Sequence, residues 1–202
     1  MKKDLKSIVD FLFEVGILSK TPRSGFHFLG SGQQSVAEHV HRTLYAAFVL
    51  ASMEKGVDIG KVLKMALFHD LSETRTSDLN YVHQKYTHSD EEKAIKDLAS
   101  TLEFGDELLE VLNELKDKKT KEALLAKDAD QIELILSLKE QADTGNSRAK
   151  TWLPPAVKRL KTPAANKLAE KIIKTNSDDW WYSDKEDSWW VSRDKDSTKK
   201  RF

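Results

Sequence analysis

Apolar residues recur along this chain at intervals of three and four, the spacing that gathers them on one face of a helix. Leu5, Ile8, Val9, Leu12 and Phe13 open the pattern and predict a first core helix, with Gly16 placed as its stop. Residues 18–32 break the period with turn formers, an arginine, a histidine and two phenylalanines, and read as an ordered loop. Ser35-Val36-Ala37-Glu38 has the form of a capping box, so a second helix starts there and runs through Val40, Leu44, Ala47, Phe48 and Ala51 to about Glu54, before Gly56. A third begins near Asp58 and carries Val62, Leu63, Ala66 and Leu67 into His69-Asp70.

Beyond a polar and aromatic connection over residues 79–88, Ser89-Asp90-Glu91-Glu92 repeats the capping-box pattern and opens a helix with Ile95, Leu98, Ala99 and Leu102 inward. Two more helices follow, near Asp106 to Lys116 and Thr120 to Ala142. Thr162-Pro163 reads as a cap followed by proline at the first helical position, with Leu168 and Ile172 facing inward. From Asn176 the period is lost among charged residues and Trp180, Trp181, Trp189 and Trp190; this is either a disordered tail or, as so many tryptophans suggest, one that packs on the body or on a second subunit. No internal repeat and no strand pair emerges, and only 8 glycines and 4 prolines interrupt the 202 residues. The fold class expected is all-α.

Composition narrows the chemistry. With 33 basic and 33 acidic residues, the chain lacks the net positive charge of a dedicated nucleic-acid binder. It contains no cysteine, which removes disulfides and thiolate ligands, leaves imidazole and oxygen for any metal, and suits a reducing, cytoplasmic setting. The amino terminus has no apolar run of signal-peptide length, and no stretch approaches the roughly 18 apolar residues of a membrane span.

The richest stretch is residues 66–78, where an apolar run leads into His69, Asp70, Glu73 and Asp78. If it is helical through Glu73, these side chains fan over one side and can converge on a divalent cation. Two further elements offer partners. His39 falls in the first turn of its helix, where the helix dipole favours the neutral ring that a metal needs. Asp128 and Asp130 sit inside a strongly apolar helix; periodicity places Asp128 nearer the centre of the apolar arc. His27, His41, His83 and His88 read as surface or hydrogen-bonding residues, and Glu91 and Glu92 as stabilisers of a helix start.

Ser-Val-Ala-Glu-His ending at His39, an apolar helix ending in His69-Asp70, and a later helix with Asp130 together resemble the HD-domain metal-dependent phosphohydrolases. Within that superfamily the chain is most similar to the small helical 5'-deoxynucleotidase group: His69-Asp70-Leu71-Ser72-Glu73 is followed by Asp78-Leu79, and Arg23 lies sixteen residues before His39. The resemblance, which spans about Leu5 to Ala142, implies an HD-domain helical bundle over residues 1–175 with a Trp-rich charged tail over 176–202. It implies one divalent metal ion (Mn, Co, Ni, Fe, Zn or Mg) on His39, His69, Asp70 and Asp130, the second aspartate of an Asp-x-Asp pattern being the usual ligand. Glu73 and Asp78 carry over as the catalytic carboxylates and Arg23 as the phosphate-binding residue. The implied substrate is a nucleoside 5'-monophosphate, the implied assembly a homodimer, and neither a nucleic acid polymer nor a membrane is an expected partner. Phosphodiesterase or triphosphohydrolase activity, or a non-catalytic nucleotide-binding regulatory role, are the alternatives; intact Glu73 and Asp78 speak against the last.

Overall fold

The capped starts seen in the sequence divide the chain into helices joined by short turns. The computed structural model describes residues 5–187 and 190–191. The helices are α1 (Leu5–Val15), α2 (Phe26–Leu29), α3 (Val36–Ser52), α4 (Ile59–Phe68), α5 (Glu73–Thr76), α6 (His83–Tyr86), α7 (Glu91–Ala99), α8 (Gly105–Asp117), α9 (Lys121–Asp143), α10 (Ser147–Val157), α11 (Pro163–Lys174) and α12 (Asp179–Tyr182). Among the described residues there is no sheet, only one isolated antiparallel bridge between Pro22 and Ser35. None of these helices is long and apolar enough to cross a membrane.

Helix α9 is the axis of the bundle, packed against α3, α4, α8, α10 and α11. Its sequence explains this, because apolar residues occupy several sides of it and Ala123, Ala126 and Ala129 let neighbouring backbones come close. The main core gathers around it, with Leu50, Val62, Met65, Ile132, Ile135 and Leu138 buried. A second cluster of Leu71, Leu98, Leu102 and Leu108 sits where α7 meets α8 and takes Ile8, Phe11 and Val15 from α1. Gly105 makes that meeting possible: a Cβ there would lie 2.0 Å from the Ala99 carbonyl oxygen.

Several local expectations change. The capping box at Ser35 forms with both its hydrogen bonds, whereas α7 is capped by Asp90, whose carboxylate accepts from the Lys93 amide, and not by Ser89. Gly16 does not terminate α1 in a left-handed conformation; the chain tightens into a 3-10 turn over Gly16–Ser19. The loop over 18–32 contains the short helix α2, closed by Gly30 at φ 84°. Helix α1 is not a core helix: Ile8, Phe11 and Val15 face the bundle, but Leu5, Leu12 and Phe13 are 79%, 63% and 76% exposed. Periodicity identifies an apolar face without saying whether this chain covers all of it.

Helix α11 ends at Lys174, and the segment beyond it is tied to the bundle where the Ser177 amide donates to Asp143. Trp181, Tyr182 and Trp190 form an aromatic cluster of their own, with Trp180 83% exposed. Trp189 and the residues after 191 lie outside the described residues.

Candidate metal centre

The site is built by α3, the end of α4, the turn after it and the middle of α9. Helix α4 stops at Phe68, so residues 69–72 are a turn and not the continuous helix expected. A cause is visible: the His69 ring bonds through Nδ1 to the Ala66 carbonyl at 2.7 Å, the acceptor that the Asp70 amide would seek in a continued helix. That bond also turns His69 Nε2 inward.

His39, completely buried, meets it from α3, and the two Nε2 atoms are 3.2 Å apart. Asp70 Oδ2 lies 3.2 Å from His69 Nε2 and 3.5 Å from His39 Nε2. Ligand atoms of His39, His69 and Asp70 all fall within 4.8 Å of one another. Asp130, from α9, places Oδ1 3.2 Å from His39 Nε2 and 4.0 Å from His69 Nε2. Two imidazole nitrogens aimed at each other beside two carboxylates fit a borderline divalent cation.

Asp128, the aspartate that periodicity favours, is buried for another reason. Its carboxylate accepts from the Lys161 amide at 2.9 Å, the Thr162 amide at 2.7 Å and the Thr162 hydroxyl at 2.6 Å, thereby holding the start of α11. Periodicity finds the more buried aspartate, and the one two residues on faces His39.

Glu133, one turn after Asp130, is the residue that sequence reasoning missed. Its Oε2 accepts from His39 Nδ1 at 2.6 Å, which sets the tautomer with the Nε2 lone pair facing the site when the ring is neutral. Its Oε1 accepts from Gln34 at 2.7 Å, Arg42 Nη2 at 2.8 Å and Ser137 at 3.0 Å. The signal available in the sequence was a glutamate inside the same apolar stretch that drew attention to Asp128 and Asp130.

Charge in the metal-free site departs from one expectation. His39 is not kept neutral by the helix dipole: burial disfavours the imidazolium, but Asp130 and Glu133 outweigh it and push the ring up to about 9. In return, and against their own burial, Asp130 is held well below the usual carboxylate range by His39 and His69, and Glu133 is pushed down to about 2 chiefly by His39. Asp70, also against burial, is lowered to about 2 by His69. A site that holds a proton on His39 among this many carboxylates is one in which a metal ion can take the proton's place.

Arg23 reaches the same centre from its loop, which is pinned beside α3 by hydrogen bonds from Arg23 N to Gln34 O and from Val36 N to Thr21 O. Its Nη1 lies 3.3 Å from Asp70 and 3.6 Å from Asp78, and these carboxylates raise its pKa in spite of burial. Asp78 is itself fixed: Oδ2 accepts from the Ser24 amide at 2.5 Å and the Ser24 hydroxyl at 3.0 Å. The preceding Ser77 has φ 61° and ψ 164°, a region suited to glycine, so the backbone that aims Asp78 at Arg23 carries strain. Glu73 has a buried Oε2 without a hydrogen-bond partner, and burial together with the charges of Asp70 and Asp78 pushes its carboxyl up to about 9. His27, His41, His83 and His88 are exposed, and none of them joins the cluster.

A family model described as "HD domain" matches residues 15–173, and the chain belongs to this family. Among curated relatives it is 34% identical over 149 residues to the 5'-deoxynucleotidase HDDC2 of Dictyostelium discoideum, covering 67% of this chain and 78% of that one. The human protein of the same name is 29% identical over 144 residues, covering 68% of this chain and 70% of its own. Among solved structures, a conserved hypothetical protein from Pyrococcus furiosus superposes with a TM-score of 0.72 at 28% identity, covering 83% of this chain and 99% of that chain. A predicted metal-dependent phosphohydrolase from Magnetospirillum magnetotacticum, at a TM-score of 0.67 and 21% identity, covers 86% of this chain and 92% of its own and shares the fold.

Proposed function

We propose that this protein is a metal-dependent phosphohydrolase that releases phosphate from (deoxy)nucleoside 5'-monophosphates. The observation that carries the reading is the convergence of His39, His69, Asp70 and Asp130 beside the Arg23 guanidinium, in a chain whose curated relatives are named 5'-deoxynucleotidases. His39, His69, Asp70 and Asp130 would hold one divalent cation. When bound, such an ion supplies Lewis acidity toward a phosphoryl oxygen and acidifies a nearby water. Arg23, with Nη1 directed at Asp70 and Asp78, has Nε and Nη2 left to grip two phosphate oxygens and offset the charge that develops there. Glu73, whose carboxyl is pushed up in the metal-free site by burial and by the charges of Asp70 and Asp78, lies beside the ligand set and suits the handling of the proton on the departing ribose 5'-oxygen. Asp78 positions Arg23 and the Ser24 backbone, a supporting part in the same reaction.

The decisive experiment is phosphate release from a panel of deoxynucleoside 5'-monophosphates with manganese or cobalt added. Asp70→Ala and Glu73→Ala are expected to abolish it, and activity that survived Asp70→Ala would refute the metal-dependent reading.

The same proposal includes a homodimer. Tyr45, Phe48 and Val49 form an exposed apolar stripe along α3, continued by Met53 at its end, and Leu5, Leu12 and Phe13 form another along α1; either would suit burial against a second copy. Light scattering should report a dimer that Phe48→Glu weakens; a monomeric wild type would remove this part. A cytoplasmic location accompanies the reading, in keeping with a chain that carries no cysteine.

A further inference from the structure

A cleft of about 700 Å³ opens beside the site, with Arg23, Asp78 and Glu133 at the end that adjoins the metal cluster. Part of the lining is a single face of α10, on which Trp152, Pro155 and Ala156 follow the i, i+3, i+4 spacing, continued by Arg159 in the turn after the helix. Leu134 and Leu138 of α9 and Phe26 and Leu29 of α2 complete the apolar lining. The volume is that of a small-molecule site, and the exposed lining is largely apolar with a few polar groups, Arg23 and Asp78 among them.

We infer that this cleft is the nucleoside subsite, with Trp152 and Phe26 as the surfaces on which the base of the substrate lies; the inference rests on the phosphatase reading above. A phosphate held by Arg23 leaves the remainder of a 5'-nucleotide to run away from the metal cluster, and the cleft is the cavity that begins at that residue. Both aromatic rings are only partly buried, so each keeps a surface to offer a ligand. Stacking is tolerant of base identity because every base has a π-face. Discrimination among bases therefore falls to edge groups, for which Gln84 and Arg159 are at hand.

The test compares a deoxynucleoside 5'-monophosphate with 2-deoxyribose 5-phosphate, which presents the same phosphoester without a base, using the manganese-loaded full chain. The wild type should prefer the nucleotide in kcat/KM. Trp152→Ala should lower the ratio of the two kcat/KM values by roughly tenfold to hundredfold, mainly through KM for the nucleotide, and Trp152→Phe should restore most of it. Phe26→Ala should act in the same direction, and hydrolysis of the sugar phosphate by each variant shows that it is folded. Equal use of both substrates by the wild type, or a ratio untouched by Trp152→Ala and Phe26→Ala, overturns the subsite while leaving the phosphatase intact. Release of phosphate from neither substrate by the wild type overturns the proposed function, and the subsite with it.

Discussion

Replacing Glu133 by glutamine changes one oxygen to an NH2 group, and the structure dictates which one. Four donors from Gln34, Arg42 and Ser137 converge on Oε1, two of them from the Arg42 guanidinium, so the amide oxygen must remain there. The NH2 group is then left facing His39 Nδ1, which accepted no proton from anyone in the native arrangement because it gave its own to Oε2 at 2.6 Å. To meet a donor, His39 must switch tautomer and carry its proton on Nε2, the nitrogen that faces His69 and Asp70. Metal binding needs the Nε2 lone pair, which returns the proton to Nδ1 against the amide NH2, so the ion must break the new hydrogen bond without the Glu133 carboxylate that supports the wild-type ring. Losing such a supporting carboxylate costs about 10- to 100-fold in metal affinity, or roughly 1.4–2.7 kcal/mol. The assay is titration of metal-stripped protein with manganese or cobalt, followed by calorimetry, with Asp128→Asn on the same helix as a control expected to leave affinity unchanged. Affinity within about twofold of the wild type in Glu133→Gln would refute the tautomer argument, and with it the role given to Glu133.

Three further outcomes are expected. Asp128→Ala strips partners from the Lys161 and Thr162 amides and should lower stability by about 2–5 kcal/mol in urea denaturation, while turnover per folded molecule is retained. Gly105→Ala must push α8 away from the Ala99 carbonyl and should destabilise by about 1–3 kcal/mol or more, read as a lowered Tm. The third concerns pH in the metal-free protein. Glu73 and His39 are each raised to about 9, from 4.5 and 6.5, so the native state binds more protons than the unfolded chain between those values and stability falls as pH rises toward 9. Glu133, lowered from 4.5 to about 2, works the other way: its contribution is present above 4.5 and is lost as pH falls toward 2. Melting temperature without metal should therefore peak near about pH 5, and the protection given by added metal should grow from there to pH 9; a flat profile would contradict the assigned proton positions.

What the sequence made legible was local. Capping residues depend on neighbours three positions away, so Ser35 with Glu38 and Thr162 with Pro163 announced helix starts that are present. Even so, the cap of α7 is Asp90 rather than Ser89, since both side chains suit the part and tertiary packing chooses. Long-range chemistry was legible only through the resemblance: nothing within α9 separates the aspartate facing His39 from the one holding α11, because both partners lie in other parts of the chain. The charge on His39 was misjudged for the same reason, the dipole being local and the carboxylates of Asp130 and Glu133 some ninety residues distant. The exposed face of α1 is the converse case, in which the local pattern is sound but no described residue covers its outer side.

Helix α9 bears Asp128, Asp130 and Glu133 within two turns, then Leu134 and Leu138 on the cleft, while helices press on it from several sides. A rotation of this one rod would at once loosen α11, misalign the carboxylate facing His39, and reshape the cleft wall. The cleft therefore cannot be retuned from this side without endangering the metal centre. Changes of substrate preference, whether by evolution or design, have more room in the lining outside α9: Trp152 on α10, Arg159 just after it and Phe26 on its short helix, whose side chains can vary while α9 stands still.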